Sequence, residues 1–277
     1  MTPQLKIRYP GLDGRVAIVT GANHGIGAAT ARALAAHGSA VGLTYLRLRD
    51  APDPGTPAAY ASGRAGDAEP VVTEIGAAGG RAIAIEADLG DAANIPALFD
   101  RVEGEFGPVE ILVNNASGWR TDTFASSGTD PLGRAVGPVT AETVDQLFAV
   151  DARAAALLIA EFARRHIARG ATWGRIVGLT SGGALGFPGE VSHGAAKAAQ
   201  VNYTMSAALE LGAFGITANV VHPPVTDTGW ITPAVEAAVR DSNELFHVAD
   251  PADVAQVIAY LASDLGKLVT ANVIQLR

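Results

Sequence analysis

Short apolar runs alternate with longer amphipathic or alanine-rich stretches along the whole chain. Residues 15–20 (RVAIVT), 40–45, 81–86, 110–114 (EILVN), 175–179 (RIVGL), 216–221 (ITANVV) and 269–276 read as strands. Their hydrophobicity is continuous rather than alternating, so both faces are covered, as in a parallel sheet. Helical stretches fall between them, near 26–37, 69–78, 91–106, 141–169, 191–213 and 251–263. This alternation predicts an α/β fold: a single-domain Rossmann-type doubly wound parallel sheet of about seven strands, with helices on both faces. No internal repeat or break divides residues 1–277. Two segments escape the pattern. Residues 47–70, rich in Pro, Gly, Ala and Asp, predict a long mobile surface loop. Residues 118–138, carrying Trp119, Arg120 and Phe124, predict a second loop. Ligands of open parallel sheets sit outside the carboxyl ends of the strands, which makes the second loop a candidate substrate lid.

Composition narrows the function classes. Of 277 residues 48% are hydrophobic and 17% charged, enough for a sizeable core. The formal charge of −8 offers no general basic surface to nucleic acid or an anionic membrane. No run approaches the roughly 18 apolar residues of a membrane span, and the N-terminus lacks a signal peptide's apolar core. The absence of cysteine excludes disulfides and thiolate metal sites, and makes a cytoplasmic location the expectation. His24, His37, His166 and His247 have no metal-ligand spacing, so no metal is expected.

The first strand runs into Thr20-Gly21-Ala22-Asn23-His24-Gly25-Ile26-Gly27. Such glycines let the chain turn tightly, admit a pyrophosphate close to the backbone, and aim helix N-terminal amides at it. The TGxxxGxG spacing resembles the short-chain dehydrogenase/reductase family, and the likeness continues along nearly the whole chain. Ala87-Asp88-Leu89 is similar to the family's adenine-contacting segment. Asn114-Asn115-Ala116-Ser117 resembles its NNAG, with serine for glycine. Pro223-Pro224-Val225-Thr226-Asp227-Thr228-Gly229-Trp230 resembles its nicotinamide segment, with Pro224 at a usual glycine. Within the family the chain resembles the branch of the 3-oxoacyl-acyl-carrier-protein reductases. The resemblance implies dinucleotide contacts from Gly21, Asn23, His24, Gly25, Ile26, Gly27, Asp88, Leu89, Asn115, Ala116, Ser117, Lys197, Pro223, Val225, Thr226 and Thr228. Where NAD users place an acid after the second strand, this chain has Tyr45, with Arg47 and Arg49 beyond it. A 2′-phosphate wants a cation and no carboxylate, so NADP(H) is favoured over NAD(H), although Asp50 and Asp53 lie in the same loop.

Family reductases pair Ser with Tyr and Lys, the last two four residues apart on one helix face. Hydride then reaches a carbonyl carbon while Tyr protonates its oxygen. Here Lys197 and Ser181 match, Asp151 stands at the relay asparagine, and His193 occupies the tyrosine position. The Ser-to-His interval is one residue short of the family's. Lys197 is one of only three lysines, with Lys6 and Lys267. An imidazole titrates near pH 6.5 and can move protons at neutral pH. It also reaches about 2 Å less far than a phenol, and a 1 Å misplacement can cost about 10²-fold. Three readings stand: an NADPH-dependent carbonyl reductase using His193 or a water, a non-redox lyase, isomerase or cyclase, and a non-catalytic homologue binding a dinucleotide or partner. Trp119, Arg120, Phe187 and Trp230 are candidate walls of a small-molecule substrate pocket. The two long alanine-rich helices are those through which the family forms homodimers and homotetramers.

Overall fold

Complete burial of the apolar runs drives the architecture. A computed structural model describes residues 8–48, 56–126, 128–130, 134–182, 185–243 and 246–277. Strands Val16–Val19 (β1) and Ala40–Tyr45 (β2) are buried along their whole length and flank the helix Gly25–Ala36 (α1). Then come helices Ala58–Ala65 (α2) and Glu69–Ala77 (α3), strand Arg81–Glu86 (β3), helix Asn94–Phe106 (α4) and strand Ile111–Asn114 (β4). Three short strands follow, Asp122–Thr123 (β5), Gly128–Thr129 (β6) and Ala135–Pro138 (β7). Helix Ala141–Leu147 (α5) passes through a π-helical segment, Phe148–Ala154, into Ala155–Ala168 (α6). The chain ends with Gly174–Leu179 (β8), Val191–Leu211 (α7), Ile216–His222 (β9), Pro233–Asp241 (α8), Pro251–Ala262 (α9) and Val273–Gln275 (β10).

Seven parallel strands form one sheet in the order β10-β9-β8-β4-β1-β2-β3. The order reverses between β1 and β4, which opens a crevice at their carboxyl ends. One face is covered by α1 and α9, through Leu34, Ile258 and Leu261. The other is covered by α4, α6 and α7, through Phe99, Leu158, Phe162 and Leu211. The expected doubly wound sheet is the one found.

Three local readings change. Residues 47–70 are not loop throughout, because α2 lies within them. Residues 118–138 contain the second sheet, ordered β5-β7-β6. Helix α8 was missed, although Thr232 caps it and Pro233 stands in its first turn, both ordinary start signals. Arg49, Asp50 and Asp53 lie outside the described residues.

Candidate active site and cofactor cleft

The crevice is built by clamping the loops after β1 and β4 together. Asn115 Nδ2 donates to the carbonyls of Thr20 (2.8 Å) and Gly21 (2.9 Å), and the Thr20 hydroxyl accepts from the N–H groups of Asn115 and Ala116. Gly21 and Gly25 adopt φ of +63° and +54°, where a side chain would be strained. A Cβ on Gly21 would stand 2.8 Å from Ala116 Cα, and one on Gly27 would strike the Gly21 carbonyl. His24 precedes α1 without capping it through its side chain, so the first N–H groups of the helix are left for an anion.

A cavity of about 460 Å³ opens over this turn. Gly21, Asn23, His24, Gly25, Ile26, Tyr45, Asp88, Leu89, Asn115, Ala116, Ser117 and Thr228 line it, as does Arg120. Backbone without side chains, a free helix N-terminus and a long cleft at the sheet's switch point fit a dinucleotide. Tyr45 closes β2 opposite Glu86. Arg47 lies elsewhere than expected: it makes a two-pronged ion pair with Glu86 (2.9 and 2.5 Å) and does not line the cavity. Among the described residues, the arginines that line it are Arg64, from α2, and Arg120. Burial, with help from Arg64, lowers the His24 pKa, so His24 is neutral at pH 7. Pro223, Val225 and Thr226 do not line the cavity. The Val225 carbonyl accepts from Ala249, and the Thr226 hydroxyl donates to the Pro224 carbonyl.

The i, i+4 pair on α7 meets the π-helical segment. Asp151, His193 and Lys197 are 0%, 4% and 4% exposed. Asp151 Oδ2 accepts from the Gly118 N–H at 2.8 Å, while Oδ1 faces Lys197 Nζ at 3.0 Å and His193 Nδ1 at 3.7 Å. Lys197 also donates to Gln200, and Gln200 to the Asn114 carbonyl, tying the group to β4. His193 Nδ1 is buried without a hydrogen bond among the described residues, and it faces the Asp151 oxygen that is ion-paired with Lys197. Burial pushes the His193 imidazole below its ordinary value, opposed by Asp151 and assisted by Lys197. Ser181, partly buried, lies two residues past the end of β8. Neither it nor His193 nor Lys197 lines the 460 Å³ cavity.

Phe187 packs against the His193 ring, with centroids 6.1 Å apart, rather than against the tryptophans. Trp119 and Trp230 meet edge-on at 4.6 Å. Sequence reasoning missed what surrounds them. Tyr60 of α2 touches both rings, and Arg134, paired with Asp130 and Glu190, lies 5.8 and 5.4 Å from them. The Trp119 indole N–H donates to Glu190 at 2.8 Å. Asp122, fully buried, accepts the Ser192 N–H in the first turn of α7. No run of residues announced these partners, since they come together from separate loops.

Residues 21–276 match a family model described as enoyl-(acyl carrier protein) reductase. An uncharacterized oxidoreductase of Bacillus subtilis, YjdA, is 31% identical over 263 residues, covering 94% of each chain. A dehydrogenase/reductase structure from Sinorhizobium meliloti has a TM-score of 0.78 at 34% identity, covering 96% of this chain and 94% of that one. The chain belongs to the short-chain dehydrogenase/reductase family. A short-chain dehydrogenase of Burkholderia cenocepacia, solved in complex with NADP, is similar over 96% of this chain and 97% of its own, at 31% identity and a TM-score of 0.77. This short-chain dehydrogenase/reductase is an oxidoreductase with a cleft for a nicotinamide dinucleotide. Among the described residues, no helix is long and apolar enough to cross a membrane, and no cluster of side chains could hold a metal.

Proposed function

We propose that the chain is an NADP(H)-dependent carbonyl reductase, acting on a ketone or 3-oxoacyl substrate, with His193 or a water it holds as proton donor. The observation that carries this is the convergence of His193 and Lys197 on one Asp151 oxygen, at 3.7 and 3.0 Å. The reduced cofactor supplies hydride when bound. Asp151 faces Nδ1 at 3.7 Å, so Nε2 is the nitrogen offered to the substrate oxygen. Lys197 balances the carboxylate. Because burial lowers the His193 pKa, the protonated donor gains population as pH falls, whereas alcohol oxidation uses the neutral ring already present at pH 7. Preference for NADP(H) is supported by Arg64 and Arg120 along the cleft, where a cation can meet a 2′-phosphate. Assembly as a homodimer or homotetramer fits the outward Leu157 of α6 and Tyr203 and Leu209 of α7.

Calorimetric titration with NADPH and with NADH, followed by NADPH oxidation across a carbonyl panel, tests this reading. NADPH should bind more tightly, and His193→Ala should slow reduction by about 10²–10⁴-fold. If neither the native chain nor His193→Tyr oxidises NADPH with any carbonyl, the reading fails.

A further inference from the structure

Helix α2, which follows β2 in the chain, brings Tyr60 and Arg64 to the wall of the cleft. It has no fully buried residue of its own and is held mainly by polar contacts. Asn23 Nδ2 donates to the Gly63 and Gly66 carbonyls, both at 2.9 Å, and the Leu48 N–H to the Arg64 carbonyl at 2.9 Å. An Arg64 guanidinium N–H reaches the Trp119 carbonyl at 3.5 Å. Tyr60 thereby comes to rest with its ring centroid 4.6 Å from Trp230, 5.9 Å from Trp119 and 5.7 Å from His24. Gly229, at φ +94°, lets the chain pass close to the Tyr60 backbone: a Cβ there would stand 2.8 Å from its nitrogen. Burial raises the Tyr60 pKa, so the occupant is a neutral phenol, and the Trp230 indole N–H is turned toward its hydroxyl.

Trp119 is fixed without help from Tyr60, and Trp230 packs edge-on against it at 4.6 Å. Trp119 is anchored on Glu190, Glu190 holds Arg134, and Arg134 lies against both indoles. Glu190 stands three residues before His193, so this nest adjoins the helix that carries His193 and Lys197. Tyr60 also lines the 460 Å³ cavity, whereas Trp119 and Trp230 do not. A preformed aromatic nest beside the candidate catalytic helix is thus filled by a phenol delivered on a lightly anchored helix.

We propose that Tyr60 is a specificity-determining residue: its ring fills an aryl subsite, walled by Trp119 and Trp230, that takes the aromatic ring of an aryl or phenolic ketone when α2 moves aside. The chemistry follows from the walls. Edge-on and tilted indoles present complementary charge to a flat π-system and little beyond contact area to a saturated ring. The substrate side of this inference rests on the reductase reading, while the subsite itself does not.

Naphthol, which has no carbonyl to reduce, and its saturated counterpart decalol are the binding probes, read by calorimetry on the full chain. Removing the resident ring in Tyr60→Ala should tighten naphthol binding about tenfold, with less than about a twofold gain for decalol. Tyr60→Phe keeps the ring and should bind naphthol as the native chain does. Adding Trp230→Leu to Tyr60→Ala should abolish the gain. Equal naphthol affinities in the native chain and Tyr60→Ala, or an equal gain for decalol, would overturn the subsite. The same proteins are then assayed with NADPH and either tetralone or decalone. A fall in KM for tetralone alone in Tyr60→Ala, with kcat kept, supports the substrate class. Selective naphthol binding without reduction of any ketone keeps the subsite and sinks the reductase reading. Reduction of ketones without naphthol selectivity does the reverse.

Discussion

At the scale of single residues, Asp151 carries the most consequence. Its two oxygens serve a backbone N–H, a lysine and a histidine inside the protein. Removing one partner of a buried ion pair leaves the other uncompensated, so Asp151→Ala should cost about 3–5 kcal/mol in urea denaturation. Asp151→Asn restores the residue usual in the family and can still accept from Gly118, so its loss should be smaller. His193 gives a second measurable quantity. Its pKa is lowered on folding, so the unfolded chain binds the proton more readily. The stability it contributes is complete above the ordinary imidazole value of 6.5 and is lost as pH falls through the lower folded value. His24 and His37 are shifted the same way. Unfolding free energy should therefore decline from pH 7 to pH 5, and less steeply in His193→Asn; an unchanged slope would mean that His193 is protonated as easily in the folded chain as in water.

At the scale of elements, the turn between β1 and α1 and the helix α7 follow from local sequence, because each depends on near neighbours. Gly27 shows how tight that turn is. An added methyl meets the Gly21 carbonyl and comes within 2.5 Å of Asn115 Nδ2, atoms that belong to the loop clamp. Gly27→Ala should abolish dinucleotide binding in calorimetry while leaving the far-ultraviolet circular dichroism of the sheet in place. Residues 141–169 read as one continuous helix, yet Phe148–Ala154 is π-helical. A π turn spends one extra residue and has no composition of its own; packing against α7 selects it, and it is this wider turn that holds Asp151. Helix α2 was hidden for another reason. Only eight residues long, with a glycine inside and Pro57 before it, it is too short for its four alanines to signal a helix, and its stability comes from Asn23 and the loops it bridges. Asn23→Ala should speed amide exchange over 58–66 about thirtyfold, since two hydrogen bonds are lost at about 1 kcal/mol each.

For the molecule as a whole, ligand binding and stability are linked. A dinucleotide that binds only the folded chain adds about 2.7 kcal/mol at a hundredfold excess over its Kd. NADPH at that concentration should raise the melting temperature by several degrees, and NADH at the same concentration by less. Much of this was legible in sequence. Continuous apolar strands, the glycine turn and the spacing of His193 and Lys197 determine the doubly wound sheet, the dinucleotide crevice and a shared helix face, because periodicity and backbone freedom are local properties. The tertiary structure alone decided which charges meet. Arg47, a cation in sequence, is neutralised by Glu86 because β2 and β3 pair in that register. Arg64 and Tyr60, unremarkable within a Pro- and Gly-rich stretch, reach the cleft because α2 folds back over it. That His193 and Lys197 share one Asp151 oxygen depends on two helices from distant parts of the chain packing at the end of the sheet. Pair energies fall off within a few ångströms, and only the packed molecule sets those distances.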